Sequence, residues 1–171
     1  FERYRKLINR RRTSHWFKTY RNEYEALYFA NELLEMEKRM GGVIRGGSAY
    51  DLINAYVKEY YLFDYFYRKF YYYYDKITDK DPFEKLAERI ENTYTNWYLN
   101  ELSIKWSAAV QEEMLEDYSL VGIKQQKDFY KDIISPFVRN NERVFVIISD
   151  ALRYEAAREL LNLINKEVRG M

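Results

Sequence analysis

The stretch Arg143–Leu160 reads RVFVIISDALRYEAAREL, and it decides how the rest of the chain is interpreted. Its five consecutive apolar residues, 144–148, are all β-branched or aromatic. An uninterrupted apolar run of this length is typical of a strand buried on both faces of a parallel sheet. Ser149 and Asp150 end the run, and apolar residues then recur every three or four positions from Leu152, as in an amphipathic helix. The stretch therefore predicts a strand, a sharp turn that carries a carboxylate, and a helix from about residue 153.

Asp150 is the residue of this unit with the clearest chemical potential. It follows the predicted strand directly, and ligands of open α/β sheets bind outside the carboxyl ends of the strands. One interpretation is an aspartate that caps the following helix by accepting a bond from a free backbone N–H. The other is a ligand of a metal or phosphate site at the tip of the strand. The residues by themselves leave both interpretations open.

The segment Val144–Leu160 resembles the opening of the PglZ domain, a branch of the alkaline phosphatase superfamily found in bacterial BREX phage-exclusion systems. The apolar run, the aspartate and the following Ala-Leu-Arg-Tyr-Glu all agree with that domain. Two upstream segments are similar to the helical region that precedes it: residues 13–34, TSHWFKTYRNEYEALYFANELL, with Ser14 as an extra residue, and residues 94–107, YTNWYLNELSIKWS.

This resemblance implies that Asp150 ligates a catalytic divalent metal, which we expect to be Zn²⁺ in the intact protein. It also implies a Ser or Thr nucleophile, expected beyond Met171, and several further Asp and His ligands. The chain has a single histidine. Because closed metal sites need about four ligands, we expect this fragment to hold no metal tightly and to contain no catalytic residue of its own.

Two further residues have both a functional and a structural interpretation. Arg153 is a candidate phosphate contact, because the guanidinium fork matches phosphate oxygens. Its alternative is an ion pair on the helix face with Glu155 or another acid. His15 lies beside Trp16, and a lone histidine is more often a structural hydrogen-bonding residue than a ligand or a base.

The composition excludes several classes of protein. The 171 residues include no cysteine, so disulfides and thiolate metal sites are excluded. The net charge of +1 gives no whole-chain attraction to nucleic acid. No window approaches the roughly 18 consecutive apolar residues of a membrane span, so we expect no membrane association. Nineteen tyrosines argue against disorder, and the presence of only six glycines and two prolines predicts long helices.

The region before the apolar run predicts an all-α bundle. We expect three long helices, at residues 16–40, 48–77 and 81–116, and a shorter one at 124–134 that is ended by Ser135-Pro136. The second long helix carries an unbroken a/d repeat. Its members are Ala49, Ile53, Tyr56, Tyr60, Phe63, Tyr67, Phe70, Tyr74 and Ile77. In the first long helix, the apolar stripe comprises Phe17, Tyr20, Tyr24, Leu27 and Leu34.

The predicted fold class is therefore mostly α, with a bundle of three long helices plus a short one at residues 1–135. Residues 143–171 are expected to form the first strand and helix of a truncated α/β core of the alkaline phosphatase type. A single strand leaves both of its edges without partners, and the chain begins at Phe1, so we expect a fragment.

Two functional hypotheses follow. The resemblance implies a metal-dependent phosphatase or phosphodiesterase of the bacterial cytoplasm, acting on a phosphoester and working with other proteins of the phage-exclusion system. The alternative is a helical docking module for nucleic acid or for partner defence proteins, suggested by the excess of tyrosines. The basic segment Arg3–Arg12 also allows phosphate contacts, although such charges more often find acidic neighbours within the fold.

Overall fold

A computed structural model describes residues 1–116 and 118–169. This part of the chain is mostly helical, as the sequence predicts, and none of it forms a strand. The α-helices are α1 (Glu2–Arg11), α2 (Arg21–Met40), α3 (Ala49–Ala55), α4 (Tyr61–Tyr74), α5 (Glu84–Glu91), α6 (Asn100–Glu113), α7 (Ser135–Arg139) and α8 (Tyr154–Arg169). Shorter 3₁₀ turns lie at His15–Phe17, Asp81–Phe83 and Gln126–Asp128.

Three stretches of π-helix join these elements into longer rods. Tyr56–Tyr60 joins α3 to α4, Asn92–Leu99 joins α5 to α6, and Tyr130–Ile134 leads into α7. The two long rods and α2 are the three long helices that the sequence predicts. α2 packs most extensively against α4, α1 lies on α2, and the second rod packs against the first.

The a/d repeat of the first rod forms the centre of the core. Every one of its nine positions is buried or half-buried, and Phe63 and Phe70 are fully enclosed. The ring of Phe63 stacks on Tyr98 with centroids 4.4 Å apart, and Tyr67 stacks on Tyr94 at 3.8 Å. Large rings bury much apolar area with few rotatable bonds, so this repeat stabilises the bundle strongly. The a/d repeat predicted from the sequence thus identifies the core face of this rod.

The apolar stripe predicted for α2 is only partly correct. Tyr20 and Leu27 are exposed, and the buried face instead carries Phe29 and Leu33. The reason is that the chain from His15 forms a separate 3₁₀ turn, so α2 begins at Arg21 and its register is set by its contacts with α4. The predicted end of this helix is confirmed at Gly41, which has a left-handed φ of 66°.

The prediction that Ser135-Pro136 ends the short helix is wrong. The chain stays helical through α7 to Arg139, with Pro136 in the first turn of α7, and the change from π-helix to α-helix at Ser135 lies directly before the proline. The predicted helix after Asp150 is confirmed, because α8 begins at Tyr154.

Residues 144–148 do not form the predicted strand in this structure. Phe145, Ile147 and Ile148 are 83–92% exposed. A strand needs neighbouring strands to satisfy its backbone N–H and C=O groups, and the described residues offer none. The α/β core, and with it the division into a bundle at 1–135 and a core segment at 143–171, therefore stays a prediction. Within the described ranges, no helix has the length and apolar composition that crossing a bilayer requires.

Candidate functional site

Asp150 lies in an exposed turn between the apolar run and α8. The next residue, Ala151, has a φ of 54°, in the left-handed region, and this reverses the chain. The first helical residue is Tyr154, so Asp150 precedes the capping position by three residues. The capping interpretation therefore does not describe this structure, in which Asp150 is exposed at the turn.

The described residues do not form a metal site by themselves. No group of three or more His, Cys, Asp or Glu side chains in these ranges is placed to hold an ion. Asp150 offers one carboxylate, whereas a closed site takes about four ligands. His15 lies in the turn before α2, where its ring meets the edge of Trp16 with centroids 5.7 Å apart. His15 is exposed, and its role stays a prediction.

Tyr154 attaches the start of α8 to the first rod. Its ring packs against Tyr56 and Tyr61, with centroids 5.8 and 5.5 Å apart. Its hydroxyl donates to the backbone carbonyl of Val57 at 3.3 Å. The π-helical turn of residues 56–60 thus presents both an aromatic surface and a backbone acceptor to α8, and the residue after Arg153 is held against the bundle.

The next residue, Glu155, is buried at the same contact, with 1% of its surface exposed. Arg68 of α4 donates from Nε to Glu155 Oε2 at 3.1 Å, and its Nη2 donates to Glu159 Oε2 at 2.7 Å. Lys69 Nζ lies 2.7 Å from Glu159 Oε1. Burial acts to raise the pKa of Glu159, but the hydrogen bonds from Lys69 and Arg68 hold it below its ordinary value.

Arg153 lies next to the same contact, at the residue before Tyr154. Its Nε lies 3.5 Å from Glu155 Oε1. Partial burial acts to lower the pKa of Arg153, but Tyr94 and the Asp64 and Glu155 carboxylates raise it. Asp64 is a buried carboxylate of α4 that accepts hydrogen bonds from the hydroxyls of Tyr56 and, at 2.8 Å, Tyr94. Burial and the adjacent Asp64 carboxylate raise the pKa of Tyr94. The ion-pair interpretation of Arg153 thus has a partner in Glu155, while its side chain stays 62% exposed.

The sequence did not identify Arg68 as the bundle residue of this contact, or Asp64 as a buried carboxylate near it. A signal was present, because both interrupt the aromatic run YYLFDYFYRKFYYYY of residues 60–74. Ionisable residues in such a run are costly to bury unless they are paired. The run therefore indicated a polar partner, although not which segment supplies it.

The basic segment at the N-terminus is paired in part with acids of α2. Arg5 donates to Glu32 at 2.6 Å and also pairs with Glu35, and Arg12 donates to Glu25 at 2.6 Å. These contacts agree with the interpretation that its charges find acidic neighbours.

A second surface combines exposed aromatic rings with cations. This aromatic–basic patch comprises Trp16, Tyr20, Arg21, Tyr72 and Lys76. Trp16 and Tyr20 have ring centroids 6.4 Å apart, and Lys76 Nζ lies 3.4 Å from the centre of Tyr72. Lys76 and, to a smaller extent, Lys69 and Arg21 hold the pKa of Tyr72 below its ordinary value. The side chain of Asn22 donates to the Lys76 carbonyl at 3.4 Å, which joins the two halves of the patch.

Comparison with known proteins identifies similar sequences along most of the chain. The family described as the BREX system PglZ alkaline phosphatase-like domain matches residues 129–171. The alkaline phosphatase-like protein PglZ of Bacillus cereus (strain H3081.97) is 49% identical over 164 residues, which cover 96% of this chain and 19% of that protein. The alkaline phosphatase-like protein BrxZ of Escherichia coli O9:H4 (strain HS) is 36% identical over 176 residues, covering 98% of this chain and 20% of that protein. The chain thus spans about a fifth of the length of these relatives. No solved structure matches it.

Proposed function

Because the chain belongs to the PglZ family of alkaline phosphatase-like proteins, we propose that it forms the helical region and the start of the core of a metal-dependent phosphatase or phosphodiesterase. This enzyme would act in the bacterial cytoplasm as part of a BREX phage-exclusion system, together with other proteins of that system. The observation that carries the proposal is the position of Asp150, which is exposed, ends the apolar run and lies within the family match.

We assign Asp150 the role of one oxygen ligand of a divalent metal, with Zn²⁺ as the expected ion. The described residues supply this single donor, so the nucleophile and the other ligands would come from the remainder of a longer protein. By itself the present chain is then expected to be inactive. Arg153 keeps its proposed second role as a phosphate contact, since its guanidinium is still largely exposed.

The test is an Asp150→Asn substitution in a full-length PglZ-type protein that carries this segment. We expect metal-stimulated hydrolysis of bis(p-nitrophenyl) phosphate to fall by more than about a hundredfold, because loss of a ligand costs more than loss of an outer-shell partner. Asp132→Asn is the matched control, because Asp132 is an exposed aspartate of the same family match. Full activity of Asp150→Asn would contradict the ligand assignment.

The aromatic–basic patch favours a second function, the binding of single-stranded nucleic acid. Exposed Tyr and Trp rings stack on bases while Arg and Lys follow the backbone phosphates. Fluorescence anisotropy with a labelled single-stranded oligonucleotide tests this function. We expect Trp16→Ala and Tyr72→Ala each to weaken binding about tenfold or more, since stacking contributes about 1–3 kcal/mol per base. Binding should also weaken steeply with salt. Absence of binding at low salt would exclude this function and leave protein docking.

A further inference from the structure

We infer that the helical bundle positions the turn of Asp150 through two contacts at the start of α8. Arg68 of α4 holds Glu155 and Glu159 of α8, and Tyr154 docks on the first rod. Arg68 and Tyr154 are then positioning residues for Asp150. The functional part of this inference rests on the proposed role of Asp150, whereas the contacts between α8 and the bundle do not depend on that role.

The first contact fixes the rotation of α8. Glu155 and Glu159 are four residues apart and therefore share one face of the helix. The same guanidinium group binds both carboxylates, at 3.0 Å and 2.7 Å. Such a fork has a fixed planar geometry, so it accepts the two carboxylates in one orientation of α8 only. A purely apolar contact would tolerate sliding and rotation more readily.

The second contact fixes the first residue of α8. The ring of Tyr154 packs against Tyr56 and Tyr61, and its hydroxyl donates to the Val57 carbonyl at 3.3 Å. Tyr154 follows Asp150 by four residues. Four residues span at most about 14 Å even when extended, so Asp150 lies close to this anchored point. The reversal of the chain at Ala151 shortens that reach further.

The cost of burying Glu155 indicates that the contact serves more than stability. Its Oε1 is buried and accepts no hydrogen bond, although Arg153 lies near it. Buried ion pairs often give no more stability than apolar residues of the same size, and their best-attested advantage is that they fix one register. If the contact served stability alone, Leu or Met could be buried there without the cost of burying a charge. A role in orienting α8 accounts for the charged residues.

The first test measures amide hydrogen exchange along α8 in the 171-residue chain. Glu155→Gln keeps the shape of the side chain and removes its charge, and Arg68→Met removes the fork. We expect exchange in the first two turns of α8 to increase by about tenfold or more in both variants, because one partner of a partly buried pair is lost. Arg39→Met is the matched control, since Arg39 pairs with Glu59 on the exposed surface of the bundle. Exchange in α8 equal to that of the control would overturn the inference.

The second test measures the dissociation constant of Zn²⁺ in a full-length PglZ-type protein that carries this segment. Glu155→Gln should weaken metal binding by about 10–100-fold, the effect expected for a residue that orients a ligand. Arg68→Lys should restore part of the affinity that Arg68→Met loses. If Asp150→Asn loses affinity for Zn²⁺ while Glu155→Gln keeps it, the positioning role is overturned and the ligand role of Asp150 stands. Unchanged affinity in Asp150→Asn would instead overturn the proposed metal ligand, and the exchange measurement would still decide the contact between α8 and the bundle.

Discussion

Arg68 and Glu155 lie 87 residues apart in the sequence, yet Nη2 of Arg68 is 3.0 Å from Oε2 of Glu155. The pair joins α4, in the first rod, to the first turn of α8, which lies in the PglZ match. Because Glu155 is buried and its partner reaches it from a packed helix, the position of α8 depends on the bundle. The helical region is thus a support for the segment that carries Asp150.

We predict that the contribution of Glu159 to stability decreases as the pH falls. Its pKa in the folded chain is lowered from the ordinary value of 4.5. A carboxyl group whose pKa is lowered by folding stabilises the folded state fully at any pH above its pKa in the unfolded chain. This contribution disappears as the pH falls through its pKa in the folded chain. The free energies of unfolding of the wild-type chain and Glu159→Gln, obtained from thermal melts, should differ by about 1 kcal/mol at pH 7. The difference should shrink steadily below pH 4.5. A difference that stays constant or grows in acid would contradict the ion pairs of Glu159.

Gly46 is predicted to be intolerant of a side chain, in contrast to its neighbour Gly47. Its φ is 136°, and an added Cβ would lie 2.6 Å from Cδ2 of the buried Leu52. Gly46→Ala should therefore lower the free energy of unfolding by about 1–3 kcal/mol. A Cβ added at Gly47 would meet no atom within 4 Å, so Gly47→Ala should change this free energy by less than about 0.5 kcal/mol. Urea denaturation of both variants checks the pair, and similar losses would contradict the described loop.

The hydroxyl of Tyr98 is predicted to stabilise the core. Tyr98 is fully buried, and its hydroxyl donates to the backbone carbonyl of Tyr60 at 3.1 Å. Tyr98→Phe leaves that carbonyl without this donor, so we expect a loss of about 1 kcal/mol in the free energy of unfolding. Phe63→Ala removes the ring that stacks on Tyr98 and should cost about 3–5 kcal/mol.

Tyr4→Phe is the control for that hydroxyl, because Tyr4 is an exposed residue of α1. It should change the free energy of unfolding by less than about 0.5 kcal/mol in the same urea titrations. An equal effect of Tyr98→Phe and Tyr4→Phe would mean that the buried hydrogen bond contributes nothing measurable.

The parts of the fold that the sequence predicted are those governed by local patterns. The aromatic a/d repeat identified the core face of the first rod, because burial follows helical periodicity there. The start of the second long helix was predicted at residue 48, where the Oγ of Ser48 accepts from the N–H of Asp51 at 3.0 Å. The turn that carries Asp150 and the helix after it were predicted in the same way.

The parts that were missed depend on contacts between distant segments. The core face of α2 is set by Phe29, which meets Tyr65 and Tyr73 of α4, and no local pattern identifies that choice. The partners of Asp64 and Arg68 were equally hidden, since a charge in an aromatic run shows only that some partner is needed. The predicted strand stays a prediction, because its formation requires neighbouring strands that the described residues do not supply.

The most direct test of the metal-ligand role is the crystal structure of a full-length PglZ-type protein that carries this segment, grown with Zn²⁺ and with the ion located by anomalous scattering. We expect an ion bound by a carboxylate oxygen of Asp150 at about 2.0–2.2 Å, with residues 144–148 paired in a sheet. The same structure should keep Arg68 on Glu155. A metal site bound entirely by other residues, with Asp150 in solvent, would contradict the assignment of Asp150 as a ligand.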